Sequence, residues 1–270
     1  MSRRRIQNVL RKEWTVILTD PNRALFVTLL PVLIVGQVML VIWLIVEFGG
    51  EGATGVAVFI ASLAKLKSAF PSVAALPVVE QFQVLLLSQL GLYLLLIPTM
   101  IAMSFASFSI VEEKLSRSLE PLLATPVRTW ELLLGKALSG ALPAVLVTWV
   151  CGGLVLLGVV GLGWGHLLRW VTTPSWYLSL FLLNPTIALL GFLLGIVGSS
   201  RAKDASSAQN IALVIVLPVL ILIAVQVTGL VWFTPLLTGL LALAVAAIDV
   251  LVLRVAIGLF QRESIVVHWR

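Results

Sequence analysis

Eight of the chain's 30 charged residues fall within the 25 positions from Glu112 to Lys136, in the stretch EEKLSRSLEPLLATPVRTWELLLGK. Apolar runs of membrane length flank it on both sides. Charge and proline in that setting make a surface offered to something in water, so the chemistry on offer is docking. Covalent chemistry has little to work with. The chain has no HExxH, no GxSxG and no Cys/His ligand cluster. Gly135-Lys136 is the nearest thing to a phosphate loop. Trp130 sits where the first Gly would be, and Ala137 replaces the Ser/Thr that would hold magnesium. No catalytic site, metal or cofactor is therefore expected in this chain. If nucleotide energy drives it, another chain holds the ATP.

Ser118 can cap a short helix, with Glu120 in the first turn where the dipole favours it. Pro121 falls at the third helical position, whose N–H has no intrahelical partner anyway. The helix 119–124 must stop before Pro126. Thr125 then caps a second helix with Pro126 at its first position. Leu119, Leu122 and Leu123 form an apolar patch beside Glu113, Arg117 and Glu120. Two readings fit: a linker between spans whose charges only solvate it, or a stiffly held docking helix. Two prolines and repeated leucines favour docking, since a plain linker is more often rich in Gly and Ser.

The elements that must position this insert are membrane helices. The chain is 60% hydrophobic and 11% charged, against about 25% charged in soluble domains, and its mean hydropathy is +1.11. The expected fold is an all-α integral membrane protein of one transmembrane domain, 1–270. It has six spans, an N-terminal amphipathic helix (1–23) and a short cytoplasmic helix within 111–136. The spans are expected at 24–46, 84–108, 137–161, 176–199, 209–231 and 233–253, each long enough for about 30 Å of hydrocarbon. The last two would form a tight hairpin around Gly229 and Pro235. Six spans put both termini and the insert on one side, which then carries 15 of the 18 Lys and Arg residues. That bias makes it the cytoplasmic side of a plasma membrane. The basic balance follows from this bias, so no nucleic acid is implied. The N-terminal apolar run is too long for a secretory signal.

Ile6, Val9, Leu10, Trp14, Ile17 and Leu18 recur at helical spacing among Arg11, Lys12 and other basic residues. Such a helix lies in the lipid headgroups, as an anchor or as an elbow that also touches a cytoplasmic partner. Residues 48–82 face outward, with a short helix near 56–64 serving as a lid or as a cap. Cys151 reads as a small packing residue. Asp249 is placed about one turn from the cytoplasmic end, near Arg254, where it can reach water. Ser88, Gln89, Tyr93, Thr99 and Ser104 in span two, and Asn210, Gln226 and Thr228 in span five, either line a pathway or join helices.

The insert resembles the coupling region of type-2 ABC transporter permeases, the membrane subunits of the type V exporter fold. The matching residues are Glu113, Ser118-Leu119-Glu120, Leu122-Leu123-Ala124-Thr125-Pro126 and Glu131-Leu132-Leu133-Leu134-Gly135-Lys136. Lys12-Glu13-Trp14 with Asp20-Pro21 is similar to that family's elbow, and Phe260-Gln261-Arg262-Glu263 to its close. Two positions depart from the family: Arg117 stands in place of Gly, and Leu115 in place of a third acidic residue. The resemblance implies a prokaryotic exporter permease paired with a second copy or a related permease. Two cytoplasmic ATPase subunits would carry ATP and magnesium. The helix 119–124 would seat in the ATPase and move spans one, two and five. A membrane anchor or sensor for an ATPase is the alternative. An ATP-independent carrier is disfavoured by the scarcity of ionisable groups at the midplane.

Overall fold

The computed structural model describes residues 21–54, 57–102, 105, 129–201, 205–228 and 230–259, with Gln7 and Thr15. The elbow residues Arg11, Lys12, Glu13 and Trp14 lie outside them. So do Glu113, Arg117, Ser118, Leu119, Glu120, Leu122, Leu123 and Pro126 of the coupling region. Every regular element among the described residues is helical. Helix α1 is Pro21–Thr54, α2 Ala57–Ala69, α3 Val78–Ser88 and α4 Leu90–Tyr93. Helix α5 is Thr129–Gly161, α6 Leu168–Val171 and α7 Pro174–Leu178. Helix α8 is Asn184–Arg201, α9 Ala205–Val227 and α10 Pro235–Leu259.

Among the described residues, five stretches are long and apolar enough to cross a membrane: Val27–Phe48, Val78–Ala102, Trp130–Gly161, Pro174–Gly198 and Pro235–Gly258. They answer to expected spans one, two, three, four and six. Expected span five answers to α9, whose described apolar part is Val216–Val227. Spans two and four are the most buried, and spans one and six the least. In α1, Val27, Pro31, Val35, Met39 and Ile42 recur every three to four residues and are buried. Leu29, Leu33, Leu40 and Leu44 of the same helix are exposed. That is one packed stripe on a helix otherwise clad in hydrocarbon. Helix α8 is the hub, packing on α5, α9 and α10. Helix α9 ends at Val227 and α10 begins at Pro235, where the hairpin around Gly229 and Pro235 was expected, and both helices pack on α8.

Prolines shape two spans, and each freed carbonyl finds a donor. Before Pro98 the backbone tightens, with Leu95 N–H donating to Leu92 O at 2.9 Å and Ile97 N–H to Leu94 O at 3.2 Å. Span two is thus helical at 78–88, 90–93 and 96–102, with turns between. The Gly91 carbonyl takes a bond from the Ser179 hydroxyl at 2.8 Å. In span four, residues Ser179–Leu183 form a π turn just before Pro185. Pro185 has no N–H to give the Leu180 carbonyl. The Trp149 indole N–H donates to that oxygen instead, at 3.0 Å. Span three ends in a Schellman turn at Gly163, φ 81°. There Gly163 N–H reaches Val160 O at 3.0 Å and Trp164 N–H reaches Val159 O at 2.9 Å.

Candidate functional site: two cavities at the broken section of span two

Where span two breaks at Gln89, a cavity opens on each side of it. The larger, about 330 Å³, lies between α1, the α3–α4 junction and Val227 at the end of α9. Gln37, Ile42, Leu86, Gln89 and Tyr93 are among its walls. The smaller, about 40 Å³, is lined by Ser88, Gly91, Trp176, Ser179, Gln226 and Thr238, among others. The Trp176 indole N–H and the Gln226 side-chain oxygen are both buried there without a partner. The larger is the roomier and more apolar of the two, in the size range of small-molecule sites.

The pathway candidates divide three ways. Gln89 and Tyr93 line the large cavity, and Ser88 and Gln226 the small one. Thr99 is fully buried and bonds to Leu95 O at 2.7 Å. Thr228 bonds to Ala224 O at 2.8 Å. Neither of these two lines a described cavity. Ser104 and the side chain of Asn210 lie outside the described residues. Sequence reasoning missed Gln37. Its signal was available, as a lone amide in an otherwise apolar span.

Helix α2 closes one end of this region, where a short helix was expected near 56–64. The Ser62 hydroxyl donates to Val227 O at 2.8 Å, and Lys65 Nζ to Leu230 O at 2.8 Å. Val227 closes α9, where helix carbonyls lack partners, and Leu230 lies in the turn just after it, near enough to the helix end for a cation to be favoured. The following turn, Pro71–Ala75, is held by the Trp170 indole N–H donating to Ser72 Oγ at 3.1 Å. His166 Nε2 lies 3.6 Å from Glu80 Oε2 at the same end. The arrangement is a cap clasped to span five. Replacing Ser62 with Ala and Lys65 with Met together should speed amide hydrogen exchange across α2 about thirtyfold, at about 1 kcal/mol for each lost bond. Unchanged exchange would mean that the clasp holds nothing.

Three charged residues are placed differently from expectation. Glu131 and Lys136, read as part of the water-facing insert, are 5% and 2% exposed. Helix α5 has begun by Thr129, so its packed face already includes them. Neither is without a partner. Asp249 does not reach water beside Arg254. Helix α10 runs ten residues further, to Leu259, and Asp249 is 4% exposed with both carboxyl oxygens unpartnered. It shares a helix face with the buried Ala242, Val245 and Ala256. A buried carboxylate without a partner is a cost to the fold. Asp249→Asn keeps the shape and removes the charge. It should raise thermal stability by the equivalent of about 1 kcal/mol, read as Tm in lipid nanodiscs. A lower Tm would show that the carboxylate has a stabilising partner after all.

Comparison with known proteins adds one finding. A family model described as ABC-2 family transporter protein matches residues 62–246, more than half of the chain. The chain belongs to that family. No curated protein matches it. An ABC-2 transporter chain is the membrane component of a transporter class that works with an ABC ATPase, and the five apolar helices make this one a multi-pass membrane protein. The matched stretch takes in Gln89, Tyr93, the clasp and the whole insert. Gln37 and Asp249 lie outside it.

Proposed function

We propose that this chain is the permease subunit of an ABC exporter, moving a substrate out of the cytoplasm with ATP hydrolysed by a separate ATPase. The observation that carries the reading is the large cavity, which in a chain of this family lies between spans one, two and five. Those are the spans that the coupling helix is expected to move. Helix α9, at 23 residues and about 1.5 Å per residue, is long enough to serve as the sixth span.

The Lys/Arg bias puts both termini and the insert in the cytoplasm and the α2 cap outside. The helix 119–124 then seats in the ATPase, which carries ATP and magnesium. Two ATPase copies act on a pair of permeases, the second being another copy or a homologue. Exposed leucines on α1 and α10, such as Leu33 and Leu243, supply apolar surface for lipid and for that second permease. The basic elbow helix lies in the headgroups, in the plasma membrane of a prokaryotic cell. Gln89 and Tyr93 contact cargo.

Inverted vesicles that hold the permease with its ATPase test this. They should accumulate cargo from the medium with ATP, and not with a non-hydrolysable analogue. ATP turnover with no accumulation across a panel of lipids, drugs, peptides and ions would sink the exporter reading in favour of a sensor.

A further inference from the structure

The large cavity restricts what it can accept, and the restriction rests on reading it as a cargo site. Among the described residues, no charged side chain lines it. Its polar contributors are two amides, Gln37 and Gln89, and one phenol, Tyr93. Both amide atoms of Gln89 are buried without a hydrogen-bond partner. An orphaned buried amide costs about 1–3 kcal/mol, and turning the Gln89 side chain into the cavity to meet a ligand that both donates and accepts recovers part of it. A charged head would find no counter-ion among the lining residues, and its desolvation costs several kcal/mol. The other walls are aliphatic, with Val38, Ile42, Leu85 and Leu86 among them.

Size narrows the class further. An engineered apolar cavity of about 150 Å³ holds benzene, so one about twice as large holds roughly a dozen heavy atoms. Gln37 stands exposed at the rim, so a molecule dissolved in the bilayer can reach the cavity from the side. We infer that the cavity binds an uncharged amphipath, with an alkyl body of about ten carbons and a neutral head that both donates and accepts hydrogen bonds. Ions, carboxylates and quaternary amines are excluded for want of a counter-charge.

The test uses three probes with the same chain and different heads: decanamide, decanoate and decylammonium. Each is titrated into nanodiscs of zwitterionic lipid holding the full chain, at a pH of about 8, where the two charged heads stay charged. The apparent affinity is read from the shift in Tm. Wild type should prefer decanamide by about fivefold or more, the effect of one hydrogen bond of about 1 kcal/mol. Gln89→Leu and the unbranched Gln89→Met both remove an orphaned amide, so both should fold and both should bind decanamide about fivefold more weakly while still rejecting the charged probes. Equal affinity for a charged probe in wild type, or an unchanged decanamide affinity in both variants, overturns the proposal. No ATPase is present, so this outcome is separate from transport. Selective binding without ATP-driven accumulation would uphold the ligand class and remove the exporter reading.

Discussion

Gly140→Ala should lower the thermal stability of the permease more than alanine at any other described glycine. A Cβ at Gly140 would lie 1.8 Å from Phe192 Cε2 and 2.2 Å from Cδ2. Nothing closer than about 3 Å is tolerated, so the ring must move. Phe192 is 2% exposed and belongs to the core formed by spans two, three and four, so it has nowhere to go without shifting its helix. Overpacking of this kind costs about 1–3 kcal/mol and sometimes more. Gly153 supplies the control, since it lies in the same helix with nothing within 4 Å of an added Cβ. Gly153→Ala should gain up to about 1 kcal/mol from helix propensity. Trimming the ring with Phe192→Leu in the Gly140→Ala background should restore much of the loss. Equal Tm values for the two alanine variants would mean that spans three and four are not packed this closely.

The second large effect lies in the insert. Replacing Leu119, Glu120 and Leu122 together, by Ser, Lys and Ser, should uncouple the permease from its ATPase. On the proposed reading the two leucines would supply the apolar anchor and the glutamate the charge that fixes the short helix in a groove of the ATPase. Such central contacts are worth about 2 kcal/mol or more each. The permease-stimulated part of ATP turnover should therefore fall by about tenfold or more, since each 1.4 kcal/mol is a factor of ten. The substituted residues belong to the charged insert between the apolar runs, so on the docking reading the Tm of the isolated permease should stay within about 1 kcal/mol of wild type. Unchanged stimulation would remove the docking assignment. A large loss of Tm would reassign these residues to the fold.

The span pattern was legible in the sequence because hydropathy over twenty residues is a sum that single positions barely perturb. The family was legible in the insert, through Leu122-Leu123-Ala124-Thr125-Pro126 and the following Glu-Leu-Leu-Leu-Gly-Lys. Depth was not legible. Asp249 and Lys136 looked near water because helix ends were judged by charge, whereas α10 runs on to Leu259 and α5 has begun by Thr129. The roles of single polar residues were also hidden. Thr99 and Gln89 are equally polar letters in one span. A threonine can satisfy itself on the carbonyl four residues back, as Thr99 does, while the Gln89 amide stays orphaned. The break at Gln89 has no proline to announce it. The Gly91 carbonyl just beyond it takes its bond from Ser179, 88 residues away along the chain, and no local pattern carries that contact.

Co-purification tests the central claim most directly. The tagged chain is expressed with candidate cytoplasmic ABC ATPases and captured from mild detergent, and the subunits are counted by native mass spectrometry. The account predicts one ATPase that stays bound through capture, with two permeases and two ATPases per particle. A permease that emerges alone with every candidate, folded and with a wild-type Tm, would contradict it.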